Sequence, residues 1–407
     1  MTQALIRQRA DLTHKHNLGA GRHGWLRLTP AYSRKVVEQI LDDTPDARNV
    51  YDPFSGSGTT AMSAAFRGLS ATATELNPFL VWLGTVKLAR YSEGELKTAQ
   101  SLLGHIIDTC SNGLAPLASA PLIHRIERWW GVANLSQLRA LKGCIDEIAD
   151  GEPVRNLMLC AFCRTLIRVS NAAFNHQSMS FKPEQEAIAP TAVAQNYRED
   201  LEHTLQSARD NPSGEGRILL ADARTAHQAL HGQRFDLVIT SPPYPNRMSY
   251  IRELRPYMYW LGYLRTGREA GELDWQAIGG TWGVATSRLA DWSREEGTLQ
   301  LPRLTPVLER VRHQDNKNGE LLANYIDRYF ADMHQHLIGL TTLLQPGAQV
   351  HYIVGNSTFY GALLPVELLF ADLFALLGFE DIAVHPLRKR NSKKELIEFD
   401  VTARWPA

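Results

Sequence analysis

The stretch FDLVITSPPYPNRMSY (235–250) places a rigid, polar turn directly after a hydrophobic run. Pro242 and Pro243 lack N–H groups and hold φ near about −65°, so the carbonyl groups around Ser241 have set directions and few donors of their own. Such acceptors, with Tyr244 as an aromatic wall, suit an exocyclic amino group on a flat base, which must leave a duplex stack to reach them. The stretch therefore predicts a site that orients an aromatic amine. The competing interpretation is a proline-stiffened turn with an incidental aromatic.

A second stretch, VYDPFSGSGTTA (50–61), has the spacing of a nucleotide-binding loop. Gly56, Gly58 and Ala61 satisfy G-x-G-x-x-G/A, which allows a tight turn, close approach of a ligand and the start of a helix. Glu75 follows near the end of the next predicted strand, where a carboxylate could accept hydrogen bonds from both hydroxyls of a ribose. Asp222, in LLADAR (219–224), could accept one from an adenine amino group, but it is equally well explained as a turn or helix-capping aspartate.

The glycine pattern alone fits a nicotinamide enzyme, a flavoprotein, a methyltransferase that uses S-adenosylmethionine (SAM), or a turn without a ligand. Phe54 favours the methyltransferase, because an aromatic just before the glycines can lie against an adenine face. Asp52 and Pro53 also differ from the apolar residues that usually precede a dinucleotide-binding turn.

The elements that must position these residues are short apolar runs alternating with helical patterns. Seven runs are predicted to be strands, namely 49–54, 71–76, 217–223, 235–241, 349–357, 380–387 and 396–405. Helices are predicted over 29–43, capped by Ser33 or Thr29, and over 59–68 and 322–347. The alternation predicts an α/β fold, in which helices cover both faces of a mostly parallel sheet.

DPFSGSGTT (52–60) and TSPPY (240–244), together with HGWLRLTPAYSRKVVEQIL (23–41), resemble the motifs of the amino-group DNA methyltransferases, which methylate adenine N6 or cytosine N4. The resemblance implies a seven-stranded, Rossmann-like methyltransferase fold, SAM as the methyl donor and double-stranded DNA as the substrate. Ser241 is similar to the serine of the cytosine-N4 enzymes. The resemblance thus implies a site-specific enzyme that methylates a flipped cytosine in a restriction–modification system, with a cognate endonuclease acting separately.

The resemblance also assigns roles by position. It places the target base against Ser241, Pro242, Pro243 and Tyr244. It places SAM against Thr29, Pro30, Asp52, Pro53, Phe54, Gly56, Gly58, Thr59, Thr60, Glu75 and Asp222.

Basic and amide side chains near these motifs are candidates for DNA contact. The candidates for phosphate or groove contact are Arg247, Tyr250, Arg388, Arg390 and Lys393, although a charge run is more often a solvated loop. Asn171, Asn175, His176 and Gln177 could read base edges or could equally fill a polar loop.

Two long segments interrupt the alternation of strands and helices. Residues 91–214 are rich in helical patterns without a convincing strand, and residues 263–318 are polar. We therefore predict a catalytic core of 1–90, 215–262 and 319–407. The first insertion is the candidate for target recognition and the second the candidate for DNA contact.

Composition narrows the class of protein further. The 407 residues carry 43 basic and 43 acidic side chains, so positive charge for DNA must be local. The N-terminus lacks the apolar core of a signal peptide, and the apolar stretch 362–379 contains Pro365, Glu367 and Asp372, which indicates a buried amphipathic helix and not a membrane span. Four cysteines predict a reducing cytoplasm.

The cysteines carry no predicted chemistry. Cys160 and Cys163 are expected to be core thiols one helical turn apart, not a metal site, and Cys110 and Cys144 are expected to be distant and unpaired. No cysteine lies near either motif, whereas a C5-cytosine methyltransferase would need one as its nucleophile.

Three rival functions remain open from the sequence. The enzyme could methylate adenine N6, or it could act on RNA or on a protein glutamine. Alternatively, the chain could be a SAM-binding DNA-recognition subunit that needs a partner. The intact glycine loop and the complete SPPY motif argue against a degenerate subunit.

Overall fold

A seven-stranded sheet organises the chain. The computed structural model describes residues 6–28, 32–148, 151–173, 180–181, 192–246, 249–280, 284–294, 299–313, 318–390 and 396–407. The strands are β1 (Asn49–Asp52), β2 (Ser70–Glu75), β3 (Glu215–Leu220), β4 (Phe235–Thr240), β5 (Leu344–Gly355), β6 (Glu380–Lys389) and β7 (Ile397–Arg404). Each predicted strand is present.

The strands lie in the order β6-β7-β5-β4-β1-β2-β3. β7 runs antiparallel to both of its neighbours, and the other pairings are parallel. This is the strand order of the SAM-dependent methyltransferase fold, so the predicted fold class is confirmed. The chain leaves β1 towards β2 and β3 and then crosses back to β4, which creates a crevice at the carboxyl ends of β1 and β4.

Fifteen α-helices accompany the sheet in the described residues. They are α1 (His14–Asn17), α2 (Arg34–Asp43), α3 (Thr59–Phe66), α4 (Pro78–Leu88), α5 (Glu93–Ser111), α6 (Ile126–Asp146), α7 (Glu152–Arg168), α8 (Ala192–Ala208), α9 (Ala226–Ala229), α10 (Tyr250–Trp260), α11 (Gly267–Gln276), α12 (Val284–Ala290), α13 (Thr305–Arg312), α14 (Gly319–Thr341) and α15 (Val366–Leu376).

Side-chain caps set the starts of the helices nearest the motifs. The Ser33 hydroxyl accepts the Lys35 N–H, so α2 begins at Arg34, later than the predicted start at residue 29. The Asn77 side chain accepts the Phe79 N–H, with Pro78 at the first helical position of α4.

Helices cover both faces of the sheet, as predicted, because neighbouring strand residues point to opposite sides. Val50 and Leu237 pack against α2 and α3 on one face. Tyr51 and Val238 belong to the cluster formed with α14 and α15 on the other.

The helical segment between β2 and β3 shares a core with the catalytic part of the chain. Trp130 of α6 and Phe162 of α7 lie in edge-on contact with Trp260 of α10, with ring centroids 5.6 and 5.5 Å apart. All three are buried. The segment also contains a two-stranded ladder, Ala172–Ala173 with Ser180–Phe181, so the prediction of no strand there is wrong.

The segment predicted to be a polar insertion also buries apolar side chains. Leu304, Leu308 and Val311, in and just before α13, pack with α14 in the main core. The segment is therefore not polar throughout, and part of it belongs to the main core.

The prediction that the apolar stretch 362–379 is a single helix needs correction. The stretch begins as a strand, Ala362–Leu364, paired with Ser357–Phe359, and becomes helical only at Val366. Pro365 accounts for the change, since it precedes the first helical residue.

The cysteines are all free. Cys160 and Cys163 are buried in α7, as predicted. Cys110 and Cys144 are not distant, because α5 and α6 bring their sulfur atoms within 3.9 Å.

Neither a membrane-spanning helix nor a metal-binding group of three or more His, Cys, Asp or Glu side chains occurs among the described residues.

Candidate active site

Both motifs line one cavity at the carboxyl edge of the sheet. Its volume is about 330 Å³, within the range of small-ligand sites. The predicted residues on its wall are Pro53, Phe54, Gly56, Glu75, Asp222, Ser241, Pro242, Pro243, Tyr244, Tyr250, Arg388 and Arg390. The fold thus brings together two motifs that lie about 180 residues apart in the chain.

The glycine loop takes a shape that other residues would resist. Gly56 and Gly58 have φ of 50° and 80°, in the left-handed region. A Cβ on Gly58 would meet the Ile218 side chain at 3.4 Å and Gly84 at 3.6 Å, so the loop lies close to β3 and α4. Gly58 then serves as the N-cap of α3.

Glu75 holds this loop from the end of β2. Its two carboxylate oxygens accept the Gly56 and Asn77 N–H groups, each at 2.8 Å. Burial raises the pKa of Glu75 to about 7. Because the carboxyl group lines the cavity and each oxygen has a further lone pair, it can accept hydroxyl donors from a ligand.

Four of the predicted cofactor residues lie behind the cavity wall and are buried, namely Asp52, Gly58, Thr59 and Thr60. The Asp52 carboxylate accepts the Thr240 hydroxyl at 2.6 Å and the Phe54 N–H at 3.0 Å. Thr60 donates to the Ile239 carbonyl at 3.1 Å. These contacts attach the glycine loop to β4. Burial raises the pKa of Asp52 to about 6.

The aromatic and acidic residues predicted for an adenine ring occupy different environments. Phe54 lines the cavity and contacts His336 edge-on, with centroids 4.8 Å apart. Asp222 also lines the cavity, but it accepts the N–H and the guanidinium of Arg224, which pairs in turn with Asp332 at 3.0 Å. Asp222 is therefore both a turn aspartate and a wall residue.

Lys87 contacts the glycine loop on the side away from the cavity, and no sequence motif predicts this contact. It is buried in α4, and its ammonium donates to the Ser57 carbonyl at 3.1 Å. Burial lowers the pKa of Lys87 to about 8. A cation beneath the loop fixes one carbonyl away from the cavity.

The SPPY turn is held on several sides. The Ser241 hydroxyl donates to the Ile353 carbonyl of β5 at 3.1 Å, which leaves its lone pairs to accept. Tyr329 donates to the Pro243 carbonyl, and the Tyr244 N–H donates to the Tyr250 hydroxyl, both at 2.8 Å. The turn is therefore positioned by α14 and α10 as well as by its prolines.

Glu398 and Arg390 surround the Tyr244 side chain. The phenol donates to a carboxylate oxygen of Glu398 at 3.0 Å, and the Arg390 guanidinium carbon lies 4.9 Å from the ring centroid. Burial, reinforced by the Glu398 charge, raises the pKa of Tyr244. The sequence analysis did not identify Glu398, because no motif in or around IEFDV (397–401) marks it as a site residue.

The described residues predicted for DNA contact are half-buried and already have protein partners. Arg388 makes two hydrogen bonds to Glu398, of 2.8 and 3.0 Å, and its side chain is 14% exposed. Arg390 donates to the Asn356 carbonyl at 2.8 Å. Tyr250 lies under the SPPY turn. Their contacts with DNA stay predictions.

Several predicted residues lie outside the part of the chain that the structure describes. They are Thr29, Pro30, Asn175, His176, Gln177, Arg247 and Lys393.

The end of α11 and the residues after it complete the cavity. Leu273, Gln276, Ala277 and Ile278 are on its wall, although their segment was predicted to contact DNA. No motif marks these positions; only the packing of α11 beside α10 brings them to the site.

Comparison with known proteins identifies methyltransferases among the relatives of this chain. The type II methyltransferase M.MvaI of Kocuria varians is 22% identical over 89% of this chain and 81% of its own length. The type II methyltransferase M.BsoBI of Geobacillus stearothermophilus is 22% identical over 95% of this chain and 84% of its own length. No family model matches the chain.

Among solved structures, the rRNA methyltransferase aviRa from Streptomyces viridochromogenes aligns over 92% of this chain and 86% of its own, at 12% identity. The TM-score of 0.29 is too low for that alignment to support a conclusion about fold or function.

Proposed function

We propose that this chain is a site-specific DNA methyltransferase that transfers the methyl group of SAM to N4 of a flipped cytosine. The observation that carries the proposal is the convergence of the glycine loop, Glu75 and the SPPY turn on one cavity. Its type II methyltransferase relatives, which match along most of the chain, support a role in restriction–modification.

The glycine-loop side of the cavity fits SAM. Gly56 leaves open space beside the loop, where an added Cβ would meet nothing closer than 3.9 Å. Glu75 would accept the ribose hydroxyls, and Phe54 would lie against the adenine. When bound, SAM supplies a methyl group on a positively charged sulfur.

The SPPY side fits the acceptor amine. Ser241, already donating to Ile353, can accept one N–H of an exocyclic amino group. The Tyr244 ring provides a face on which a base outside the duplex can stack. Fixed acceptors hold the amine so that its lone pair points towards the methyl donor.

The transfer needs no covalent enzyme intermediate. The amine nitrogen forms a bond to the methyl carbon as the carbon–sulfur bond breaks, and it then loses a proton to solvent. Positive charge grows on the nitrogen during this step, so the acceptors around it bind the transition state more tightly than the neutral amine. The four cysteines lie in α5, α6 and α7, away from the cavity wall.

The guanidinium groups in the cavity favour cytosine over adenine. Along the Watson–Crick edge, cytosine presents two neighbouring acceptors, N3 and O2, beyond N4, whereas adenine presents the acceptor N1 and then the C2–H beyond N6. Paired N–H donors of an arginine match two neighbouring acceptors. Arg388 already makes two hydrogen bonds to Glu398 and Arg390 makes one to the Asn356 carbonyl, so Arg390 keeps more N–H donors for a base.

A methyl-transfer assay tests the proposal. Purified protein is incubated with duplex DNA and SAM labelled in the methyl group, and the DNA is digested to nucleosides. We expect labelled N4-methyl-2′-deoxycytidine. Labelled N6-methyl-2′-deoxyadenosine would move the assignment to adenine.

Label found only in RNA or protein would overturn the proposal. Protein that binds SAM and DNA but transfers no methyl group would indicate a recognition subunit that needs a partner. The cognate endonuclease is expected to be a separate protein, and cleavage of unmethylated DNA by host extract would reveal it.

A further inference from the structure

We propose that Glu398 is a positioning residue that acts on the methylated base through the Tyr244 phenol. The proposal rests on the function proposed above. It concerns a residue that neither motif contains and that lies on β7, the antiparallel strand, more than 150 residues after Tyr244.

The sheet brings Glu398 to the edge where the catalytic turn lies. Because β7 is antiparallel, its first residues meet the last residues of β5 and β6. Glu398 is opposite Gly355 on one side and Arg388 on the other. It is 4% exposed and lies on the cavity wall.

Each oxygen of the buried carboxylate has a charged or polar partner. One accepts the Arg388 guanidinium at 2.8 Å. The other accepts both a second Arg388 N–H at 3.0 Å and the Tyr244 hydroxyl at 3.0 Å. Arg388 thus fixes the carboxylate, and the carboxylate fixes the phenol.

Gly355 leaves room for the other neighbour of Tyr244. A Cβ at Gly355 would lie 2.6 Å from Nη1 of Arg390, whose guanidinium lies over the Tyr244 ring. The ring is therefore held at its hydroxyl by an anion and covered on one face by a cation.

This arrangement has a consequence for the reaction. A phenol that donates to a carboxylate has a fixed ring orientation and a more electron-rich face. The amine and the base gain positive charge as the methyl group is transferred, and an electron-rich ring attracts positive charge. Glu398 should therefore stabilise the transition state more than the bound base, so its loss should lower kcat more than it raises KM.

A double-mutant cycle separates this role from a purely structural one. The variants are E398Q, Y244F and the double variant, assayed for methyl transfer to duplex DNA under saturating SAM. We expect E398Q to lower kcat by about tenfold, the scale of one charge-assisted hydrogen bond, with KM for DNA changed less than about twofold.

The double variant gives the decisive comparison. Y244F removes the hydroxyl through which Glu398 acts, so adding E398Q should lower kcat by less than about twofold more. If the double variant instead lowers kcat by the product of the two single effects, the proposal is overturned, because Glu398 would then act without Tyr244. An unchanged kcat in E398Q would overturn it as well.

Two further variants guard against effects of folding. D400N neutralises another buried acid on β7, paired with His351 at 2.9 Å, and should keep kcat within about twofold of the wild type. If E398Q fails to fold, E398D takes its place, because it keeps a charge for Arg388 but withdraws the carboxylate from Tyr244. The decrease in kcat caused by E398D should likewise disappear when it is combined with Y244F. Wild-type protein that transfers no methyl group to DNA would refute the proposed function itself, whereas additive variants would refute only this inference.

Discussion

At the scale of single residues, the candidate site depends on which oxygen atoms are already engaged. Ser241 has its proton committed to Ile353, and Glu75 accepts two backbone N–H groups while it still lines the cavity. These contacts orient acceptors towards the cavity before any ligand arrives. Such preorganisation is how a polar site aids a reaction that develops charge.

Tyr244→Ala should reduce methyl transfer while SAM binding stays nearly intact, since the ring belongs to the base side of the cavity. Base–aromatic stacking contributes about 1–3 kcal/mol, so kcat/KM for DNA should fall roughly 5- to 150-fold. Isothermal titration with SAM checks the other half. A large loss of SAM affinity would contradict the assigned role.

Asp222→Ala should weaken SAM binding if Asp222 accepts a hydrogen bond from the adenine amino group. One neutral donor to a carboxylate is worth about 1.5–3 kcal/mol, so the dissociation constant should rise at least about tenfold. An unchanged constant would leave Asp222 as a turn residue that pairs with Arg224.

SAM binding should weaken at acid pH because of Glu75. Its pKa is raised to about 7 by burial, so the carboxyl group is protonated below that pH and ionised above it. Ribose hydroxyls bind the ionised form better, so affinity is full well above pH 7 and falls as the pH drops through 7 towards 6.

Titrations of SAM between pH 5.5 and 8.5 measure this dependence. Glu75→Gln should bind SAM more weakly at pH 8, with a flatter pH profile. A wild-type affinity that stays constant across this range would show that Glu75 does not receive the hydroxyls.

At the scale of elements, the glycine loop is supported from three directions. β2 supplies Glu75, β4 supplies Thr240, and α4 supplies Lys87. The loop therefore depends on neighbouring elements as much as on its own glycines.

Lys87→Met should lower SAM affinity without lowering thermal stability. The change removes the bond to the Ser57 carbonyl, worth about 0.5–1.5 kcal/mol, so the dissociation constant should rise roughly 2- to 10-fold. It also removes a buried cation whose desolvation is unfavourable, so the melting temperature should hold or rise. The exposed Lys97→Met in α5 is the matched control. Equal SAM affinity in both variants would refute the support role of Lys87.

At the scale of the whole molecule, the helices between β2 and β3 and the catalytic sheet form a shared core. Phe162 and Trp130 of the helical segment surround Trp260, which belongs to the helix that follows the SPPY turn. A substitution that destabilises the helical segment should therefore also destabilise the catalytic sheet.

Phe162→Ala should destabilise the entire chain in a single transition. Truncation of a buried phenylalanine costs about 3–5 kcal/mol. Circular dichroism and loss of SAM binding should report the same, lowered midpoint. A helical transition that separates from loss of SAM binding would show that the two parts unfold independently.

Much of the fold was predictable because its signals are local. Most strands of the sheet contain a short apolar run, and Ser33 marks the start of α2 in the sequence itself. The two motifs and the sheet order together place the cavity, because parallel strands bring their following loops to one edge.

The remaining site residues depend on contacts that local patterns do not encode. Glu398 meets Tyr244 only because β7 inserts antiparallel between β5 and β6. Lys87 reaches Ser57, and Ile278 reaches the cavity, through the packing of separate helices. Such long-range pairs follow from topology and packing and cannot be found from spacing along the chain.

The most direct test of the central claim is modification-sensitive sequencing of DNA from cells that express the wild-type chain or Tyr244→Ala. We predict N4-methylcytosine at every copy of one short recognition sequence in the wild type, and its loss or strong reduction in the variant. DNA that carries no modified base at a defined sequence in wild-type cells would contradict the account.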